Sequence, residues 1–403
     1  MRLVPEIQTT NLLALTSELF GKSKIINLPE KAEYSFQDTL NVLLCAATST
    51  TNSIESASID LRIKTPYKNV PSADSIHGYI NSNSIDYLMS SFRKINDEII
   101  QYANIKGTYQ DAAIDFHDIP YYGDKNTPGI RGIKPKNGTS WGYSFCSLDI
   151  IGDIKLTLDV IDINGLAKNY AILMESMMQR LNTMGINLRT LFMDREFFNN
   201  PTISTLQRLN KYFVIAAKSN KKINSILLEH KKKFGETSTF FDYQFEKGGQ
   251  KFIIVAVLNP KYDPNSKKDK GNNKYHLFAT NLMVNNASDF LKKIPEEYRK
   301  RWNIETGYRV KNAFKIRTCS KSPVARSLFF LIQCLLYNIE NLLKLVIEID
   351  AYKLKSAISD AVEIVIKEGY KLLCDVTVEN FMTSMWKFME NRTKDLRDRL
   401  RVT

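Results

Sequence analysis

The sequence predicts an α/β fold, a mixed sheet flanked by helices, with a β-rich basic insertion and helical regions at both ends. Three observations predict it. From about Tyr109 to Ala217, apolar runs succeed one another as strand, hairpin, helix, strand, helix and strand, an order that builds a mixed sheet with helices on its faces. The first hundred residues and the chain after Ile294 carry apolar residues at helical spacing. Between them, Lys218 to Asn281 is rich in lysine and contains its own hairpin signal. These shifts divide the 403 residues into a helical region 1–106, a core segment 107–217, an insertion 218–284, a second core segment 285–349 and a helical region 350–403.

The N-terminal helices are expected at Phe36 to Ala47, Ser53 to Ile63, a short one after Ser72, and Ser84 to Ala103. Short helices joined by polar turns suit a helix-turn-helix and equally a plain bundle. Ala112 to Phe116 is an apolar run carrying one carboxylate and reads as a strand, whereas Gly123 to Gly138 is rich in Gly, Pro, Asn and Lys and reads as a loop. Tyr143 to Ile151 and Ile154 to Ile161 are strands turned by Gly152-Asp153; alternation in the second predicts one buried face. Leu166 to Leu181 is helical, Leu188 to Met193 is a strand ending at Asp194, Asn200 caps a helix with Pro201 at its first position, and Tyr212 to Ala217 is a strand.

In the basic stretch, Phe240 to Phe245 and Phe252 to Leu258 form a hairpin around Gly248-Gly249. Pro295-Glu296-Glu297 and Ser322-Pro323 each read as a helix start. Leu328 to Ile349 is the most apolar stretch, but Gln333, Asn338, Glu340, Asn341 and Lys344 interrupt it, so it is expected to be a buried helix and not a membrane span.

Composition narrows the function. Lys and Arg number 56 against 43 acids, a net charge of +13. That excess attracts polyanions, nucleic acid before acidic membrane, unless it is merely spread over the surface. The five cysteines are widely spaced with no CxxC, which excludes a disulfide framework and suits a reducing compartment. The four histidines are isolated, which argues against a His-rich metal site. Met1 to Thr10 has no apolar core run, so no signal peptide is expected.

Three carboxylates stand out by position: Asp115 in the first core strand, Asp194 at a strand end, and Glu305 on the helix expected from Pro295. Strand ends are where open α/β sheets place their sites. Converging carboxylates repel unless a cation intervenes, and hard oxygen donors suit Mg²⁺ or Mn²⁺; singly, each is an ordinary solvated acid. On the Glu305 helix, Tyr298, Arg301, Glu305, Tyr308 and Asn312 share one face, with Trp302, Ile304, Val310 and Phe314 burying the others. Either Arg301 forks onto a phosphate while Glu305 binds metal, or the two form an internal i,i+4 ion pair.

At these residues the sequence resembles a family. Tyr298-x2-Arg301-x3-Glu305 resembles the Tyr-x2-Arg-x3-Glu-x6-Lys signature of one branch of the DDE insertion-sequence transposases. Arg301-Trp302-Asn303-Ile304-Glu305, Arg317-Thr318 and Tyr337-Asn338 look like that branch too, Ile114 to Gly123 resembles its first-aspartate segment, and Met193 to Phe197 its second. The motifs stand in family order from about Ala112 to Asn341. The resemblance implies an RNase H-like core and cut-and-paste DNA transposition. Asp115, Asp194 and Glu305 would hold two Mg²⁺ (or Mn²⁺) ions, water would free a 3′-OH at the transposon end, and that hydroxyl would attack target DNA. Tyr298 and Arg301 would grip phosphates near the cleaved end.

One departure is that the family lysine falls on Asn312. Lys311 lies about 100° away around the helix, and Arg309 and Lys315 are nearer, so these three join the expected DNA contacts. Asp118 and Glu196 are the rivals of Asp115 and Asp194; both are expected beyond their strands. His117 either helps or packs, and Trp141 or Trp302 could stack on a base, packing being the expectation for Trp302. The implied partners are double-stranded DNA, as terminal inverted repeats and target, and a second copy of the chain, with no membrane; the implied setting is the cytoplasm and nucleoid of a prokaryote. Two rivals share the fold: an inactive DNA-binding derivative, hinted at by Asn312, and a structure-specific nuclease without strand transfer.

Overall fold

The computed structural model describes residues 19–347, apart from 49–51, 65–68, 164–168, 248, 261, 263–273 and 284–285, together with Lys355. The helical region expected over 350–403 lies, Lys355 aside, outside the described residues. The helices of the first hundred residues include α1 (Phe36–Thr48), α2 (Ile54–Lys64), α3 (Ala73–Asn81) and α4 (Ile85–Tyr102). The Ser72 and Ser84 hydroxyls accept from the backbone N–H groups of Ser75 and Tyr87, capping α3 and α4.

The sheet strands are β1 (Tyr109–Pro120), β2 (Arg131–Lys136), β3 (Thr139–Ile151), β4 (Lys155–Asp162), β5 (Asn187–Met193), β6 (Phe213–Ala216), β7 (Thr239–Tyr243), β8 (Phe252–Leu258) and β9 (Tyr275–Thr280). They form one mixed sheet in the order β2-β3-β1-β5-β6-β9-β8-β7, with β4 also on β3. β1, β5 and β6 run parallel; the other pairings are antiparallel. Helices α5 (Tyr170–Thr183), α6 (Asn200–Arg208), α7 (Lys221–Phe234), α8 (Ala287–Tyr298), α9 (Trp302–Lys311) and α10 (Pro323–Ile347) complete the described chain. This is the helix-flanked mixed sheet that the sequence predicts.

Alternation along the central strands sorts residues between two layers. Ala112, Ile114, Leu191, Met193, Phe213 and Ile215 join a large core that includes residues of α1–α5 and α10. Ala113, Phe192 and Val214 join a second cluster with Phe290 and Ile294 of α8 and Ile304 of α9. Asp115 has the parity of Ala113, and Asp194 that of Phe192, so both face the α8–α9 side. A one-residue slip of β1 would turn Asp115 to the opposite layer.

Several local expectations are corrected. The loop Gly123 to Gly138 contains β2, an edge strand paired with β3. Asp118 lies inside β1, because pairing with Ser144 carries the strand to Pro120. β4 is buried on both faces: Thr157 and Asp159 have no exposure, since Arg93 of α4 forks onto Asp159 at 2.9 and 3.0 Å and Asn338 of α10 accepts from the Thr157 N–H at 2.7 Å. Asn199, not Asn200, caps α6, with Pro201 one position further in. The basic stretch contains α7 as well as its hairpin, and β9 joins that hairpin to β6. Pro295 sits inside α8, which starts earlier under an Asn286 cap because Phe290 and Ile294 give it a buried stripe. Helix α10 starts after Ser322 as expected, and its interrupting Gln333, Asn338 and Glu340 are all buried. Among the described residues no helix is long and apolar enough to cross a membrane.

Candidate active site

The site forms where β1 and β5 deliver their carboxylates. Ile114 pairs with Met193 in the parallel ladder, so Asp115 and Asp194 leave adjacent strands side by side. Asp194 then caps the single 3₁₀ turn Arg195–Phe197, accepting from the Glu196 N–H at 2.7 Å. On the opposite layer Phe116 stacks on Phe197, ring centroids 4.7 Å apart, which anchors both strand ends.

The third carboxylate comes from α9. A 3₁₀ turn, Arg299–Arg301, links α8 to α9, and Lys300 ties that turn to Asp111 of β1 at 3.2 Å. Arg301 is only 9% exposed. Its guanidinium lies 2.5 Å from the Glu305 carboxylate and 3.5 Å from that of Asp115, and 5.6 Å from the Tyr298 ring centroid. The Arg301 Nε is buried with no hydrogen-bond partner. Of the two sequence readings, the internal i,i+4 ion pair is the one formed: Arg301 pairs with Glu305 and also reaches Asp115.

Helix α9 is fixed on the sheet by polar contacts. Asn303 Nδ2 donates to the Ile151 carbonyl at 2.8 Å, the Tyr308 and Ser147 hydroxyls lie 2.7 Å apart, and Lys311 Nζ meets Asp149 Oδ1 at 2.6 Å. Ser147 and Thr157 also donate to Asp149, at 2.5 and 2.6 Å. Gly307 allows a close approach to α10: a Cβ there would lie 3.0 Å from the Tyr337 hydroxyl. Ser147, Asp149 and Gly307 were not singled out from sequence. A carboxylate inside the apolar run Tyr143 to Ile151 was the available signal for Asp149.

Electrostatics mark Asp115. Burial, then the nearby Asp194, push its carboxyl up to about 7, against the opposing pull of Arg301. Burial likewise pushes the Tyr298 phenol up to about 12, leaving it a protonated donor at neutral pH. Over Asp194 hangs Lys134 of β2, at 3.7 Å from its carboxylate and 3.6 Å from that of Glu196. Sequence gave no signal for Lys134, which is sixty positions away in the chain.

The remaining expected residues divide. Lys311 does not reach solvent: it has no exposure and is spent on Asp149, so its expected DNA contact is corrected. Arg309 is exposed and Lys315 half-buried. Asn312 is exposed, and its Oδ1 accepts from Gln333 at 3.3 Å. Trp302 is 65% exposed, contrary to the packing expected of it, because Ile304 supplies the buried side of α9. His117 packs, its ring 4.7 Å from Tyr308 and 4.9 Å from Phe330; burial drives it down to about 3, so it is neutral.

As the side chains stand, no three acidic, histidine or cysteine groups among the described residues converge tightly enough to hold a metal ion. The donor chemistry nevertheless fits a divalent cation: hard carboxylate oxygens, and a buried Asp115 whose charge Arg301 does not fully offset. The two adjacent aspartates are in place; Glu305 would join them by leaving Arg301.

Against known proteins, residues 159–339, just under half of the chain, match the family model described as a Transposase DDE domain. That span includes Asp194 and Glu305 and begins after Asp115. No curated protein matches the chain. Among solved structures it is similar to a piggyBac transposase in a synaptic complex with hairpin DNA, at 12% identity, covering 96% of this chain and 87% of that one with a TM-score of 0.58. The class the chain resembles in domain and fold is therefore that of transposases with a DDE domain.

Proposed function

We propose that the protein is a DNA transposase of the DDE type, cleaving phosphodiesters at transposon ends and joining the freed 3′-OH to target DNA. The observation that carries this reading is the delivery of Asp115 and Asp194 from adjacent parallel strands beneath a helix that presents Glu305. Asp115, Asp194 and Glu305 are the residues that would hold Mg²⁺ or Mn²⁺, two ions in the full reading; such ions supply Lewis-acid activation of water and charge neutralisation at the leaving oxygen.

The chain's own residues do the rest. Arg301, buried and forked, orients a phosphate beside Asp115, and Tyr298 donates its phenolic hydrogen bond to the same strand. Exposed Arg309 and half-buried Lys315 hold the backbone further along. The Tyr-Arg-Glu signature, without its lysine, supports a reading close to the corresponding insertion-sequence branch. Two ends must be brought together, so the working form is a homodimer on double-stranded DNA, in a prokaryotic nucleoid.

The test is cleavage of a labelled duplex carrying the element's terminal inverted repeat, with Mg²⁺ or EDTA, beside Glu305→Gln. Metal-dependent release of a 3′-OH end that joins a second duplex, and its loss in Glu305→Gln with DNA binding kept, is the expected result. Cleavage without joining makes the protein a nuclease. Binding with no cleavage under Mn²⁺ as well makes it an inactive derivative.

A further inference from the structure

Beyond the carboxylates, β1 runs on to Pro120 and ends against a cavity of about 410 Å³. Tyr121 and Tyr122 line it together with Lys315, Arg317, Lys321 and Arg326. No carboxylate lines it, and none of the four cationic groups has an acidic partner among the described residues. By contrast, Lys134, Lys231 and Lys300 each have an acid within 4 Å.

The cluster is held, not merely crowded. Arg326 is 8% exposed, donates its Nε to the Ser320 carbonyl at 2.9 Å, and sits over the rings of Tyr121 and Tyr143 at 5.2 and 4.9 Å. Buried Asn52 clamps the segment from the N-terminal region, donating to the Lys315 carbonyl at 2.9 Å and accepting from the Arg317 N–H at 2.5 Å. Burial and the like charges of Lys136, Arg317 and Arg326 all press the Lys315 ammonium towards its neutral form. Four cations around one cavity without an acid repel one another, and a bound anion removes that repulsion.

We propose that this cavity is a phosphate-binding subsite for a DNA strand, seating one backbone phosphate a few nucleotides from the bond presented to Asp115. The two lie apart along the protein strand: Asp115 to Pro120 is five residues, roughly 17 Å at ~3.3 Å each, a span of more than one nucleotide of DNA backbone. The identity of the anion as DNA rests on the function proposed above; the cavity and its charge do not.

The test uses the full chain and reads binding, not turnover. Duplexes of the terminal repeat carry a single neutral methylphosphonate at successive positions one to seven nucleotides from the cleavage junction. The expected result is that one position in this window, set back from the junction, weakens wild-type binding, and has no further effect on Arg317→Ala/Lys321→Ala. Both side chains are exposed, so the variant keeps its fold. Its slope of log affinity against log salt should be shallower by about 0.9 for the phosphate lost.

Cys319 lines the cavity and is exposed, so its alkylation by iodoacetamide, read by peptide mass, should be slowed by the duplex in wild type and not in the variant. No coupled position, or protection of Cys319 by inorganic phosphate but not by duplex, overturns the subsite. Coupling without any cleavage overturns only the catalytic reading; cleavage without coupling overturns only the subsite.

Discussion

Asp115 carries the largest electrostatic load at the site, and its pH dependence can be read directly. Its carboxyl sits near 7 in the folded chain against an ordinary value of 3.8. A raised folded value means the native state binds the proton more tightly than the unfolded state. The stability this adds is fully present below about pH 4 and is lost as pH rises through about 7. Without metal, Asp115→Asn should therefore melt at the same temperature as wild type near pH 4 and at a higher one near pH 8, measured by calorimetry in EDTA. An unchanged difference across that range would show that Asp115 is solvated. Arg301 works against the same shift, and its reach to both Asp115 and Glu305 offsets part of the repulsion between these acids.

At the scale of elements, α9 is the piece that brings chemistry to the sheet, and Lys311 is what locks it there. A fully buried ammonium on a buried carboxylate cannot lose one partner cheaply: the other is left charged in the interior, at about 3–5 kcal/mol. Lys311→Met should lower stability by that order in urea unfolding, with Lys311→Met/Asp149→Leu recovering much of it. The salt slope of DNA binding should stay at the wild-type value, since Lys311 touches no solvent. A shallower slope with unchanged stability would restore Lys311 to the DNA-contacting set. The lysine at the signature position is thus replaced in sequence by Asn312, while its immediate neighbour has become part of the interior.

Across the whole molecule, the N-terminal helices and the sheet are one body of packing. Phe92, Ile95 and Ile99 of α4 lie in the same core as Leu156 and Leu158 of β4 and Leu328 to Leu336 of α10. Asn96 donates to the Thr157 and Leu158 carbonyls at 2.8 and 3.0 Å, and its Oδ1 accepts from Asn338 at 2.7 Å. Removing residues 1–106 would bare that face and leave buried Asp159 without Arg93. The truncated chain should fail to give a cooperative thermal transition, where the full chain gives one that includes α4. An independently folding core 107–403 would show that the helical region is a separate module. The same packing bears on function, because Asn52 extends the N-terminal region to the edge of the basic cavity.

What the sequence by itself determined is local and periodic. Caps at Ser72 and Ser84, alternation in β4, and the apolar run before Asp194 place helices and strands, because those signals act over a few residues. The carboxylates were legible for the same reason, as acids stranded in apolar runs or on a patterned helix. Tertiary structure alone decided which charges meet. Strand parity and the β1–β5 register turned Asp115 and Asp194 to the layer of α9. The pairing of Lys311 with Asp149, the reach of Lys134 to Asp194, and the gathering of Lys315, Arg317, Lys321 and Arg326 around β1's end depend on distances between segments far apart in the chain. Pro295 inside α8 shows the same order of authority: a strong local start signal yielded to Phe290 and Ile294, because burying an apolar stripe outweighs one lost backbone hydrogen bond.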